Sequence, residues 1–180
     1  IFIFFNIMKT SLPPLDLAYF KKFNTSPVEI KAYNPVSKEI AQEYIELLST
    51  LLKDFEVKII HRGSTAFKIS GKGDIEIGVY PGEEDWDMIV EKLESYFGSP
   101  ENTEVDYARF NTLKNGFEIE IILQKGESAR VDIALTEYLM SHPKLLKRYE
   151  NLKRSYSFSK REYQIQKDRF LRNIIDSIPD

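Results

Sequence analysis

The chain contains no cysteine. That excludes a disulfide framework, a thiolate metal site and a cysteine nucleophile. Histidine is nearly as scarce, with only His61 and His142. A zinc site would have to draw most of its ligands from carboxylates, so a hard, oxygen-bound cation such as Mg²⁺ (or Mn²⁺) is the more natural guest. No apolar run is long enough to span a bilayer, and no basic n-region or cleavage pattern marks a signal peptide. A cytoplasmic protein with no membrane partner is therefore expected. The opening "IFIFFNI" is read as foreign to the protein or as a short packing strand, with Met8 as the start. Internal repeats, low-complexity linkers and clear domain boundaries are also missing.

What remains is 180 residues with 42% hydrophobic and 13% aromatic content, enough for one ordinary core and too aromatic for disorder. The net charge of −3 is unevenly spread: from Lys144 to Asp180 ten Lys/Arg face five Asp/Glu, a balance of +5 that leaves −8 elsewhere. Such a division suits a site holding cations on one wall and phosphates on the other, or simply a solvated helical face.

Hydrophobic spacing divides the chain into alternating elements. "PVSKEIAQEYIELLSTLLKDF" repeats apolar residues at helical intervals, with Ser37 as expected N-cap. "EVKIIH" and "DIEIGVY" read as strands, and "EDWDMIVEKLESYF" as a helix burying Trp86. Three further strand-like runs follow, "DYARFNTL", "GFEIEIILQ" and "ARVDIAL", and everything from Thr136 onward reads as helix. His142-Pro143 reads as a helix start. The fold class expected is α+β: a mixed sheet of about five strands, flanking helices and a C-terminal helical element.

The chemistry centres on "IIHRGSTAFKISGKGDIEIGVY". Asp74 and Glu76 lie two apart, so they share one face while Ile75, Ile77 and Val79 take the other. Adjacent carboxylates repel unless a cation lies between them. Gly63 permits close backbone approach to a phosphate, and Ser64 offers a hydroxyl and an amide. Arg62, Lys68 and Lys72 add positive charge. "GFEIEIILQ" repeats the pattern with Glu118 and Glu120 on one face, and a two-metal site needs such a third carboxylate. Asp132 is a rival for that place. Tyr163 and Lys167 lie one helical turn apart, where a lysine can reach a triphosphate. His61 either orients the Gly-Ser loop or is a satisfied core histidine. The plain alternative is that both acidic strands are merely two-faced, polar side outward.

Gly63-Ser64, nine residues, then Asp74-Ile75-Glu76-Ile77 resembles the signature of the nucleotidyltransferase superfamily related to DNA polymerase β. "VEIKAYNP", "HRGSTA", "EYLMSHPKLLKRYENLK" and "REYQIQKDRFLRNII" further resemble the GrpB branch of that superfamily, over roughly Val28 to Ile175. The resemblance implies an N-terminal extension at 1–27 and a nucleotidyltransferase-like domain at 28–180, helical from 136. It implies Mg²⁺-dependent nucleotidyl transfer from a nucleoside triphosphate to an unidentified acceptor, or a nucleotide-binding regulatory module without turnover. Asp74, Glu76 and Glu120, with Glu118 beside them, would hold metal, and Glu120 would assist the metal or activate the acceptor. Gly63, Ser64, Thr65, Arg62, Lys72, Tyr163 and Lys167 would bind the nucleotide. Departures stand out: Lys68-Ile69-Ser70 replaces the family's Pro-Gly loop, Asp74 is an added acid, and Glu118-Ile119-Glu120 falls where many relatives have His-Leu-His. A nucleic-acid partner rests only on the basic tail, which lacks a stacking platform of aromatics.

Overall fold

A computed structural model describes residues 16–179; the segment read above as a packing strand or foreign sequence lies outside them. The described chain forms two compact units, residues 31–130 and residues 16–30 with 131–179.

The first unit is built on a five-stranded sheet: β1 (Val57–Arg62), β2 (Ile75–Pro81), β3 (Asn102–Thr103), β4 (Tyr107–Lys114) and β5 (Phe117–Gln124), in the order β1-β2-β5-β4-β3. All neighbours are antiparallel except β2 and β5, which run parallel. Two helices, α1 (Val36–Leu51) and α3 (Trp86–Phe97), supply Ile40, Leu48, Trp86, Ile89 and Leu93 to one core with Ile75, Ile77, Val79, Phe110, Ile119, Ile121 and Leu123. The apolar half of each alternating strand thus faces these helices, each fully buried aliphatic contributing about 1.5–3 kcal/mol. The other half of each strand faces away from that core. Between β1 and β2 a single helical turn, α2 (Gly63–Ala66), follows the strand directly.

α1 starts one residue before the expected Ser37 cap. Asn34 Oδ1 accepts from the Val36 amide at 3.1 Å, and the Ser37 hydroxyl donates back to the Asn34 carbonyl at 2.6 Å. Asn34 therefore does the capping, because Pro at 35 suits a helix entrance and needs no donor.

"ARVDIAL" is not a strand. It lies inside α4 (Gly126–Ser141), where Ala129, Asp132, Thr136 and Leu139 are buried at helical intervals. Seven residues of apparent alternation are outvoted by a sixteen-residue helical frame rich in good helix formers. The fifth strand is instead the two-residue β3. In the second unit α5 (Pro143–Ser155) opens on Pro143 as expected, and α6 (Lys160–Ile175) follows, its Ser159 side chain capping the Glu162 amide. Within this unit residues 23–28 are strapped to the helices by Val28 N donating to Ser157 O and Arg161 Nε donating to Phe23 O. Among the described residues no helix is long and apolar enough to cross a membrane.

Candidate active site

The parallel pairing of β2 with β5 puts Glu76 level with Glu120. The register continues on either side, Arg62 opposite Glu76 and Asn111 opposite Glu120, so one row crosses four strands. The row lies on the face opposite the core, since Ile75, Ile77, Ile119 and Ile121 hold the alternate positions. Asp74, immediately before β2, is buried at 7% exposure. The cluster is held by one compact unit.

Each carboxylate meets a cation. Lys72 Nζ stands 2.5 Å from Asp74 Oδ2, Arg62 Nε 3.4 Å from Glu76 Oε2 and Arg109 Nη1 3.8 Å from Glu120 Oε1. Arg62 also donates from Nη1 to Gln124 Oε1 at 2.9 Å. Burial raises the Glu120 pKa, and Glu76 and Asp74 raise it further against the opposing pull of Lys72 and Arg109. Burial alone would lower the Lys72 pKa, yet Asp74, Glu120 and Glu76 together hold it above the ordinary lysine value. Tyr107 is pushed up by burial and then by the same two glutamates, against Arg109 and Arg62.

The Gly-Ser turn abuts this row. Gly63 has φ +74°, and a Cβ there would lie 2.7 Å from the Glu76 carboxyl carbon, so only glycine lets the turn close over that acid. Ser64 is the second residue of α2, and its carbonyl accepts from the Ile69 amide at 3.1 Å. The loop is therefore a helical turn and not an extended strand. Behind it, the Thr65 hydroxyl donates to the Asp74 carbonyl at 3.2 Å and contacts His61 Nε2 at 2.9 Å. A hydroxyl has one proton, so His61 must donate and carries its hydrogen on Nε2. Burial lowers the His61 pKa to about 4 despite Glu76. His61 is thus a neutral strut between β1 and the loop that positions Asp74.

Ser64 and Thr65 also form one wall of a cavity of about 310 Å³, with Tyr33, Asn34, Ile69 and Phe117 among its other walls. Lys31 and Gly71 exchange both backbone hydrogen bonds, at 2.7 and 3.1 Å, and pin one side of it.

The remaining expected residues are scattered. Glu118 is exposed and accepts from Asn111 Nδ2 at 3.1 Å. Lys68, at φ +56°, lines a groove with Tyr33, Lys38 and Glu39. Tyr163 and Lys167 lie on α6 and Asp132 on α4, all in the second unit, with Tyr163 only 2% exposed. Sequence reasoning missed Arg109 and Tyr107. A signal existed, because a two-residue Asn115-Gly116 hairpin forces residue 111 opposite 120 and carries 107 and 109 onto the same face.

The donor set of Asp74, Glu76 and Glu120 suits a hard divalent ion. The present arrangement does not coordinate one: among the described residues no group of three His, Asp or Glu side chains is placed to hold a metal. Each of the three acids faces a basic side chain instead, Arg109 being shared between Glu120 and Glu101, the latter at 2.7 Å.

Comparison with known proteins gives a match to the GrpB protein family model over residues 27–177. No curated protein matches. Among solved structures, the GLD-2/RNP-8 complex aligns at TM-score 0.56 and 14% identity, covering 88% of this chain and 62% of that one. Cid1 in complex with the UTP analogue UMPNPP aligns at 0.45 and 16%, covering 76% and 40%. Leishmania infantum polymerase beta in a ternary complex aligns at 0.42 and 11%, covering 81% and 61%. This chain thus spans from two fifths to about three fifths of their length. The shared fold is that of nucleotidyltransferases.

Proposed function

Since the chain belongs to the GrpB family and has the nucleotidyltransferase fold, we propose that it transfers a nucleotidyl group from a nucleoside triphosphate to an acceptor hydroxyl, with Mg²⁺ or Mn²⁺ as cofactor. The observation that carries this reading is the level pairing of Glu76 with Glu120 beside Asp74 and the Gly63 turn. Asp74, Glu76 and Glu120 would hold the ion, with Glu118 at the rim. When bound, the ion neutralises charge on the phosphates and orients the reacting oxygens.

The chain's own residues supply the rest. Gly63, Ser64 and Thr65 receive the β- and γ-phosphates, and Arg62 and Lys72 balance their charge. The cavity behind Ser64 is at the lower end of the size range for small-molecule sites and suits a small ligand portion. The acceptor oxygen attacks the α-phosphorus, the bond to the bridging α–β oxygen breaks, and pyrophosphate leaves. Glu120 assists the metal or, where it does not ligate the ion, takes the acceptor's proton as general base. Rate comes from positioning and charge compensation. Tyr163 and Lys167 remain proposed contacts to the nucleotide, and the helical part from 136 is proposed as one domain with the sheet.

One observation favours a second reading. Every acid of the cluster is already ion-paired, which suits a regulatory module that binds nucleotide without turnover. The deciding experiment measures pyrophosphate release with each nucleoside triphosphate, a pool of small hydroxyl acceptors and Mg²⁺ or Mn²⁺. Release that disappears in Asp74→Asn and Glu76→Gln supports transfer. Nucleotide binding with no release in any combination supports the module.

A further inference from the structure

The three cations on the carboxylate row are not equivalent. Arg62 and Arg109 are strand residues with side chains 20% and 29% exposed, and their guanidinium groups stand 3.4 and 3.8 Å from Glu76 and Glu120. Lys72 is on the loop before β2, between Gly71 and Gly73, with its side chain 44% exposed. Yet it makes the shortest contact of the three, 2.5 Å, to the most buried acid. It is at once the tightest cation in the cluster and the one whose stem already reaches water.

Charge sharpens the point. Arg109 is shared with Glu101 at 2.7 Å, so four acids face three bases, and a divalent ion entering the cluster unchanged would leave +1 in a partly buried space. Expelling one lysine removes that excess, and a released ammonium regains full hydration at little cost on a half-exposed stem. The arginines are each held by a further partner, Arg62 by Gln124 Oε1 at 2.9 Å and Arg109 by Glu101 Oε2 at 2.7 Å.

We propose that Lys72 is a tethered counter-ion that stands in for the divalent metal on Asp74 and must swing out before the metal binds. This rests on the metal-dependent reading above. Metal affinity in the resting protein is thereby weakened by the chain itself. The freed ammonium becomes available to the triphosphate, so the nucleotide helps to hold the site open for its metal.

The test titrates the metal-free protein with Mn²⁺ alone, following free Mn²⁺ by electron paramagnetic resonance, for wild type, Lys72→Met and Lys72→Arg. Lys72→Met is expected to bind Mn²⁺ at least tenfold more tightly than wild type, and Lys72→Arg no more tightly. A second readout uses the wild-type protein, so it does not depend on a variant folding: acetylation of Lys72, followed by mass spectrometry, should quicken at least threefold when Mn²⁺ is added. Equal Mn²⁺ affinity in wild type and Lys72→Met, with Lys72 labelling unchanged, overturns the role of Lys72 and leaves the metal site standing. No Mn²⁺ binding in any of the three proteins overturns both.

Discussion

Gly63 stands where β1 ends and the loop must turn back over Glu76, at a φ only glycine adopts without strain. Gly63→Ala adds a Cβ against the Glu76 carboxyl carbon, and destabilisation of about 1–3 kcal/mol is expected from strain and crowding together. Chemical denaturation reads it, and a change under about 0.5 kcal/mol would show that the turn relaxes freely. His61 and Glu120 give opposite pH signatures. The folded-state pKa of His61 is depressed to about 4, so the unfolded chain binds its proton more readily. Its contribution is whole above about pH 6.5 and is lost as pH falls toward 4, up to about 3 kcal/mol. His61→Gln should flatten the stability–pH curve in that window. Glu120 has a raised folded pKa, so its ionisation destabilises, and stability declines as pH rises through that pKa. Glu120→Gln should therefore melt higher than wild type at neutral pH, with the difference vanishing in acid. An unchanged melting temperature at pH 7 would mean that Lys72 and Arg109 already compensate the charge.

At the scale of elements, the hairpin β4–β5 and the parallel β2–β5 pair assemble the carboxylate row. The hairpin was readable: Asn115-Gly116, at φ +51° and +80°, is a two-residue turn between two alternating runs. The parallel pairing was not, because β2 and β5 are more than thirty residues apart and their alternation is the same in either direction. α4 failed for a related reason. A short stretch such as Arg130–Leu135 fits both periods, and only burial across sixteen residues separates them. Ala134→Pro, in the interior of α4, should cost about 3 kcal/mol or more. Circular dichroism during urea unfolding checks it, and a mild effect would argue for a helix broken before that residue.

On the scale of the molecule, the carboxylate row and the Gly-Ser turn fall within the single unit 31–130. Metal binding should stabilise that unit by mass action, about 2.7 kcal/mol at a hundred times the dissociation constant. The melting temperature of wild type should rise with Mn²⁺, and that of Asp74→Asn should not. If both respond alike, the ion binds elsewhere and Asp74 is no ligand.

The sequence by itself determined the local facts. Alternation assigned β2 and β5 their buried and polar faces and marked β1 and β4 as strands, helical periodicity located α1, α3, α5 and α6, and the absence of cysteine limited any metal to oxygen and a little nitrogen. It also singled out Asp74 and Glu76, two apart and so expected on one face, because parity along an extended chain is a property of covalent geometry. Only the tertiary structure decided that Glu120, rather than Glu118 or Asp132, stands level with Glu76, since register between distant strands comes from packing of the whole sheet. It alone revealed that Lys72, Arg62 and Arg109 already answer those charges. An ion pair depends on distances through space, and Arg109 and Glu120 meet because two strands lie side by side.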